Sequence, residues 1–489
     1  QRFVQDFTRE INEKPVLELI YRGGKQYLGP DRLSNMHYFK PLFNECNQST
    51  QYLYFKNCYW KITADEIIQR PLAELPRHIW QDAIMDFEPK LLKETMCKVG
   101  RKNNEWTMEM SKDARKSDIA NFYANTSNFH WRKSQALEKE EDGNTQWINK
   151  DNPEKILPED LQVLKANMVS KMIAAGYLLH DYLDWGNMKA VVAMDGIESE
   201  VGRSQGGTGK GVFFGQFEHL VPVHWINGKR QDLNQDKHIY AGVDERTKVI
   251  WFEDVRVNFD FEQLFPTITK AVWVDPKGEQ GHKEKPKKVM LDTNHALNGE
   301  GNSFYRRQFM ISFSDYYNKS RTVGEDFGHQ FYSEWEPEQW NYFYNWIANC
   351  IQVYLKHGLK YSIPRDAIEK RKLRQRIGED FIEWASLQFD ADHGLLLNHK
   401  IEKEFLTELF LQAHPQQRKY VNSRKFKNKI VQYCKYAGFE FNPTSTADDK
   451  RIKSNSKEYL MVTDERFIIS ESKTINNDLD LRGVKPSMF

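Results

Sequence analysis

Residues 204–211 (SQGGTGKG) carry the spacing in this chain with the clearest chemical meaning. The loop follows an apolar run at 190–194 and precedes a helical pattern at 212–220. Glycines in that context let successive backbone N–H groups turn inward, and a helix start adds the positive end of its dipole, so the arrangement cradles phosphate. Lys210 then acts as a point charge on the β- and γ-phosphates. The expected nucleotide-binding set is Ser204, Gly206, Gly207, Thr208, Gly209, Lys210 and Gly211. Two positions depart from the usual pattern. Ser204 replaces its first glycine, and Gly211 replaces the Ser or Thr whose hydroxyl ligates magnesium, a task left to water, Thr208 or Ser204.

Three further elements follow in order. Residues 248–255 (KVIWFEDV) read as an apolar strand ending in two acids, a costly place for carboxylates without a counter-ion. Glu253 is expected to hold Mg2+, directly or through water, and Asp254 to orient or deprotonate an attacking water. Residues 289–294 (VMLDTN) end in Asn294, an amide suited to the γ-phosphate or the lytic water. Residues 304–313 (FYRRQFMISF) open a strand with Arg306 and Arg307. Such arginines suit a finger that reaches a neighbouring subunit's nucleotide, a role worth ~10³–10⁵ in rate in other NTPases. Taken singly, the acids also read as a solvated loop, the asparagine as a turn residue and the arginines as surface ion pairs.

The elements that must position these groups alternate strand and helix. Runs at 190–194, 249–252, 289–291 and 309–313 suit strands buried on both faces of a mostly parallel sheet. The expected organisation is multidomain α/β. An α+β domain fills 1–150, with short strands at 52–55 and 59–63 and a charged linker at its end. Residues 151–185 supply a linker and leading helix, 186–318 the ATPase core, 319–395 a helical segment, and 396–489 a winged-helix-like domain. Arg418, Lys419, Arg424, Lys425, Lys427 and Lys429 lie on or before a helix with an apolar face at Phe426, Ile430 and Tyr433. That pattern fits a recognition helix and a solvated helix face equally.

In order and spacing, the four elements resemble the superfamily 3 helicases of DNA viruses and mobile elements, within the AAA+ P-loop class. KVIWFEDV is similar to that family's Walker B strand and VMLDTN to its motif C, and Arg307 stands in the register of its arginine finger, ahead of Arg306. The family carries a DNA-binding β-hairpin between those strands. Here the matching stretch is 271–288 (AVWVDPKGEQGHKEKPKK), which places Lys277 at the hairpin lysine with His282 and Lys283 as tip partners. The family's histidine after that lysine is Gly278 here. The flanks resemble phage- and poxvirus-type primase-helicases. The resemblance implies ATP and Mg2+ as cofactors, a homo-hexameric ring around single-stranded DNA, and a primase polymerase in cis or in trans. It implies replication of a phage or mobile element in the cytoplasm of a bacterial or phage-infected cell. The chain starts at Gln1, which fits a piece whose primase was lost or is separate.

Composition limits the partners. Net charge is +1, so no overall basic field advertises nucleic acid, and contacts must come from local patches or from a channel lined by copies of one patch. Thirteen tryptophans and 22 tyrosines supply core and interface anchors. The five cysteines are dispersed with no Cys-x-x-Cys pair, which argues against structural zinc and for a reducing compartment. No apolar run is long enough to span a bilayer, so no membrane partner is expected. Two other readings share the loop: a nucleotide-binding AAA+ scaffold or sensor with little hydrolysis, favoured by Gly211, and a protein loader or remodeller, disfavoured by the hairpin lysine.

Overall fold

The computed structural model describes residues 42–129, 131, 158–195, 207–230, 233, 235–256, 259–295, 297, 301–360, 377–390, 396–443 and 451–464, with isolated positions 15, 18, 138–139 and 145–146. Ser204 and Gly206 lie outside the described residues, as does most of the linker expected at the end of the first domain. The chain divides into a unit of residues 1–45 and 73–83 and a unit of 46–72 and 84–489. In the first, Phe43 stacks on Trp80 with ring centroids 4.6 Å apart. The second contains every site residue expected from the sequence.

That second unit opens with antiparallel strands β1 (Gln51–Phe55), β2 (Cys58–Ile62) and β3 (Ile67–Pro71), with β4 (Ile84–Met85) parallel to β1. Alternate residues of β1 and β2 are buried, the two-residue period of a strand with one covered face. A hairpin of β5 (Cys97–Lys102) and β6 (Glu105–Met110) turns through Asn103 and Asn104, both at positive φ, where asparagine is tolerated. Two short helices follow, α1 (Lys112–Lys116) and α2 (Asp118–Ser127). Ser111 and Ser117 cap them by accepting from the Ala114 and Ala120 amides, each cap worth about 1 kcal/mol.

Five parallel strands form the central sheet: β7 (Ala190–Asp195), β8 (Val223–Asn227), β9 (Val249–Val255), β12 (Lys288–Thr293) and β13 (Gln308–Phe313), in the order β8-β9-β12-β7-β13. All four expected strands are present, and β8 adds an edge. Successive residues feed two cores. Val191, Ala193, Phe309 and Ile311 join one, while Ala190, Val192, Val289 and Leu291 join the other. Burial on both faces explains why these strands read as unbroken apolar runs.

The first of those cores also contains Phe55, Trp60, Phe122 and Tyr123, with Met172 of α3 (Pro158–Leu179) and Trp346 of α8 (Pro337–His357). Residues within 53–62 and 96–124 thus share a core with one face of the sheet. Helices α3 and α8 approach closely at Gly176, where a side-chain carbon would collide with the Cys350 carbonyl and Tyr354. Lys171 of α3, fully buried, donates to the Thr126 carbonyl, Ser127 Oγ and Ser312 carbonyl at 3.3, 2.9 and 2.6 Å. It ties the end of α2 to the end of β13.

Between β7 and β13 lie α4 (Lys210–Gly215, before β8), α5 (Phe265–Thr269), the antiparallel pair β10 (Val272–Val274) and β11 (His282–Glu284), and α6 (Asn302–Arg306). A short α7 (Val323–Phe327) precedes α8. The C-terminal part comprises α9 (Glu379–Gln388), β14 (Lys400–Glu402), α10 (Lys403–Ala413), α11 (Ser423–Ala437), β15 (Glu440–Phe441), β16 (Ile452–Ser454) and β17 (Lys457–Thr463). Strand β17 pairs with β14, β15 and β16, and the helices bury their own core around Phe381, Trp384, Phe410 and Phe426. Among the described residues no helix is long and apolar enough to cross a membrane.

Candidate functional site

The phosphate-loop residues that the structure describes lie at the C-terminal end of β7. Gly207 and Gly209 both take φ +97°, a conformation that favours glycine. Gly209 has a second reason: a side-chain carbon there would sit 2.9 Å from Phe122 and 3.3 Å from Thr126. The loop therefore rests directly on α2. Gly211 differs, since a side-chain carbon there meets nothing within 4 Å.

Lys210, Thr208 and Asp195 are all buried and converge on one oxygen. Thr208 Oγ1 donates to Asp195 Oδ1 at 2.6 Å, and Lys210 Nζ lies 2.5 Å from the same atom. Lys210 Nζ also donates to Asn294 Oδ1 at 2.7 Å. The amide expected at the end of the third strand is thus in contact with the loop lysine, which requires β12 to lie between β7 and β9, as it does.

The two acids sit at an irregularity where the β9–β12 register shifts between Phe252 and Val255. Asp254 takes φ +51°, an uncommon conformation for aspartate in a strand, and bulges of this kind re-aim side chains. Its amide donates to Asp292 Oδ2 at 3.2 Å, and its carboxylate pairs with Lys229. Glu253 Oε2 accepts from Trp225 Nε1 at 2.9 Å. Gly228 lets the β8 turn approach, because a side-chain carbon there would lie 2.8 Å from the Val255 Cα. Asp292 accepts from Trp251 Nε1 at 2.9 Å. Burial raises its carboxyl to about 6, against the hydrogen bonds from Trp251 and the Asp254 amide and the charge of Lys210.

Most of these groups line one open cleft of about 800 Å³, including Thr208, Lys210, Lys229, Glu253, Asp254, Asp292 and Asn294, together with Thr322 and Gln330. It lies beyond the carboxyl ends of parallel strands, the usual ligand position in open α/β sheets. Among the described residues no three acid, His or Cys groups are arranged to hold a metal by themselves. The donor set still fits Mg2+, which takes one or two carboxylates and completes its shell with phosphate and water. Asp195, Asp292, Trp225 and Lys229 were not singled out from the sequence. The only signal for the two aspartates is an acid inside or ending an apolar run.

Arg306 and Arg307 are not in this cleft. The Ala190 amide donates to the Arg307 carbonyl at 2.8 Å, which fixes Arg307 at the N-terminal edge of the sheet. Lys210 follows the other end of β7, and six strand residues span roughly 20 Å. The Arg307 guanidinium lies 4.3 Å from the Phe265 ring centre and donates to the Ser303 carbonyl at 3.0 Å; burial and neighbouring Arg306 lower its pKa. Arg306 is exposed. The β10–β11 hairpin joins the sheet at this same edge, since β11 leads into the start of β12. Lys277 lies in its connecting loop, whereas His282 and Lys283 belong to β11 and not to the tip.

In the C-terminal part, four of the six residues of the basic cluster are engaged internally, among them Lys425, which donates to the Tyr420 carbonyl at 3.0 Å. Arg418 pairs with Glu408 at 2.6 Å, Lys427 with Glu458 at 2.7 Å, and Lys429 with the Ile377 carbonyl. Arg424 and Lys425 are exposed, and Phe426, Ile430 and Tyr433 face the core as expected.

No family model matches the chain, and no curated protein matches it. Solved structures that match include "The A form apo structure of NrS-1 C terminal region-CTR", at 11% identity over 85% of this chain and 96% of that one, with a TM-score of 0.30. A second, described as CTR(305-718) of the same protein, matches at 10% identity over 84% and 96%, also with a TM-score of 0.30. A likeness at that score assigns neither fold nor activity.

Proposed function

We propose that this chain is a ring-forming, ATP-hydrolysing motor that translocates on single-stranded DNA, of the superfamily 3, AAA+ P-loop type. The observation that carries the reading is the segregation of groups across the sheet. Glu253 with Asp254 and Asn294 end two adjacent parallel strands, Lys210 follows a third beside them, and all line one cleft, while Arg307 and the hairpin lie at the opposite edge. A site completed from the far edge of a second copy is a head-to-tail arrangement, which closes into a ring.

In this reading the glycine amides and Lys210 hold the β- and γ-phosphates. Glu253 holds Mg2+, whose contribution is to neutralise charge on the transferring phosphoryl group. Asp254 takes the proton of the attacking water, and Asn294 links the γ-phosphate region to β12. Arg307 of a neighbouring copy stabilises the transition state, with exposed Arg306 beside it. Lys277, with Lys283, tracks the DNA backbone; six copies of such a lysine would make a basic ring from a nearly neutral chain. A primase polymerase, separate or joined, and a cytoplasmic site of action belong to the same proposal, as does a winged-helix fold for the C-terminal part.

ATP turnover measured with and without single-stranded DNA tests it, on the natural chain and Asp254→Asn. Turnover that rises with DNA and is lost in the variant is expected. Nucleotide binding without turnover in either chain would instead support a scaffold or sensor, a reading favoured by Gly211 and by the engagement of Lys210 with Asp195.

A further inference from the structure

Four described tryptophans are about half exposed: Trp80, Trp185, Trp225 and Trp273. Trp185 stands in a loop next to Asp184 and close to Asp181, and the Trp225 indole is bonded to Glu253, so both lie in acidic surroundings. Trp273 does not. It lies on β10, directly across from Lys283 on β11, so the two side chains share one face of the hairpin. Its neighbours Val272 and Val274 point the other way and are buried, which anchors the strand and presents the indole outward. Lys277 and Lys283 are both exposed, and neither forms an ion pair among the described residues.

The indole is also held down. A side-chain carbon at Gly281 would lie 2.9 Å from Trp273 Cζ2 and 3.3 Å from Cε2, so the ring rests against the backbone of that glycine. With 53% of Trp273 exposed and no other ring packed on it among the described residues, an aromatic surface stays open beside Lys283, with Lys277 in the connecting loop of the same hairpin. A seated aromatic beside a cation, with a second cation in the same hairpin, matches the chemistry of an unpaired nucleotide, a π-face next to a phosphate.

We propose that Trp273 is a stacking platform for a base of single-stranded nucleic acid, with Lys283 and Lys277 taking the adjoining phosphates. This rests on the nucleic-acid reading above and adds to it a base contact that phosphate tracking does not require. The contact is indifferent to base identity, because every base has a π-face.

The test is fluorescence anisotropy of the full chain with a labelled oligo(dT) strand and an equally long abasic strand, in Mg2+ and a non-hydrolysable ATP analogue. The natural chain binds oligo(dT) more tightly than the abasic strand. Trp273→Ala weakens oligo(dT) binding roughly 5- to 100-fold, the range for losing a base stack. It leaves abasic binding and nucleotide affinity unchanged, and Trp273→Phe retains part of the difference. Equal oligo(dT) affinity in Trp273→Ala, an equal loss on both strands, or a change in oligomeric state by sedimentation would overturn the proposal. If the natural chain binds neither strand, the nucleic-acid reading itself fails, a result distinct from a failure of Trp273 alone.

Discussion

Lys210, in the lining of the cleft, meets Asp195, with the Lys210 ammonium 2.5 Å from the Asp195 carboxylate oxygen that also accepts from Thr208. Both side chains are buried, so each satisfies the other's charge where water does not. A nucleotide that takes Lys210 must therefore separate this pair. Asp195→Asn keeps the shape and the Thr208 contact but removes the competing charge. It should bind ATP more tightly by about tenfold, ~1.4 kcal/mol, in a titration calorimeter. Weaker binding would show that Asp195 supports the nucleotide and does not compete with it. Lys210→Ala should lose ATP turnover altogether.

Gly209 and Gly211 stand two residues apart and have opposite expected tolerance. Gly209→Ala places a methyl against Phe122 at φ +97°, so nucleotide binding and thermal stability should both fall. Gly211→Ser meets open space and should fold as the natural chain does. It adds the hydroxyl usual at that position, and its nucleotide affinity should become more dependent on Mg2+. Affinities measured with Mg2+ and with a chelator compare the two, and a serine variant indifferent to Mg2+ would mean the metal does not approach residue 211.

Arg307 lies too far from its own chain's Lys210 to serve it, so its loss should be repaired in trans. Arg307→Ala should bind nucleotide normally and lose turnover, by ~10³-fold or more if it acts as a finger. Mixing it with Lys210→Ala should recover activity, because some interfaces then join an intact Lys210 to an intact Arg307. No recovery, in mixtures shown by sedimentation to co-assemble, would assign Arg307 to its Phe265 stack and Ser303 bond alone. Lys277→Ala should leave basal turnover intact and abolish DNA-coupled movement.

What was legible in the sequence, and what was not, follows from locality. The runs at 190–194, 249–252, 289–291 and 309–313 were readable because burial on both faces leaves continuous apolar residues. The edge strand at Val223–Asn227 was missed, for its side chains are mostly partly exposed and it includes His224 and Trp225. The lysine, the acid pair and Asn294 each end or follow a strand and were found one by one. Their partners were not. Asp195 and Lys229 matter through contacts across the cleft, and the seating of Gly209 on Phe122 joins positions far apart in the chain. Residues 1–150 read as mixed short strands and polar helices, and nothing local reveals that α2 forms the bed of the phosphate loop.

Lys288 gives the molecule a pH dependence remote from the cleft. It opens β12, is fully enclosed, and stands 3.7 Å from the Tyr177 ring centre. Burial lowers its pKa from 10.5 to about 7, opposed by the charges of Asp181 and Asp184. Between pH 7 and 10.5 the unfolded chain binds a proton here that the folded chain does not. Stability from this residue therefore rises with pH across that interval, and below pH 7 the cost of enclosing the ammonium is fully present. Lys288→Met keeps the bulk and removes the charge, so it should be more stable than the natural chain at pH 6. The advantage should shrink steadily toward pH 10. Urea melts at both pH values read it, and an advantage that stays constant with pH would show that Lys288 keeps its proton in the folded state.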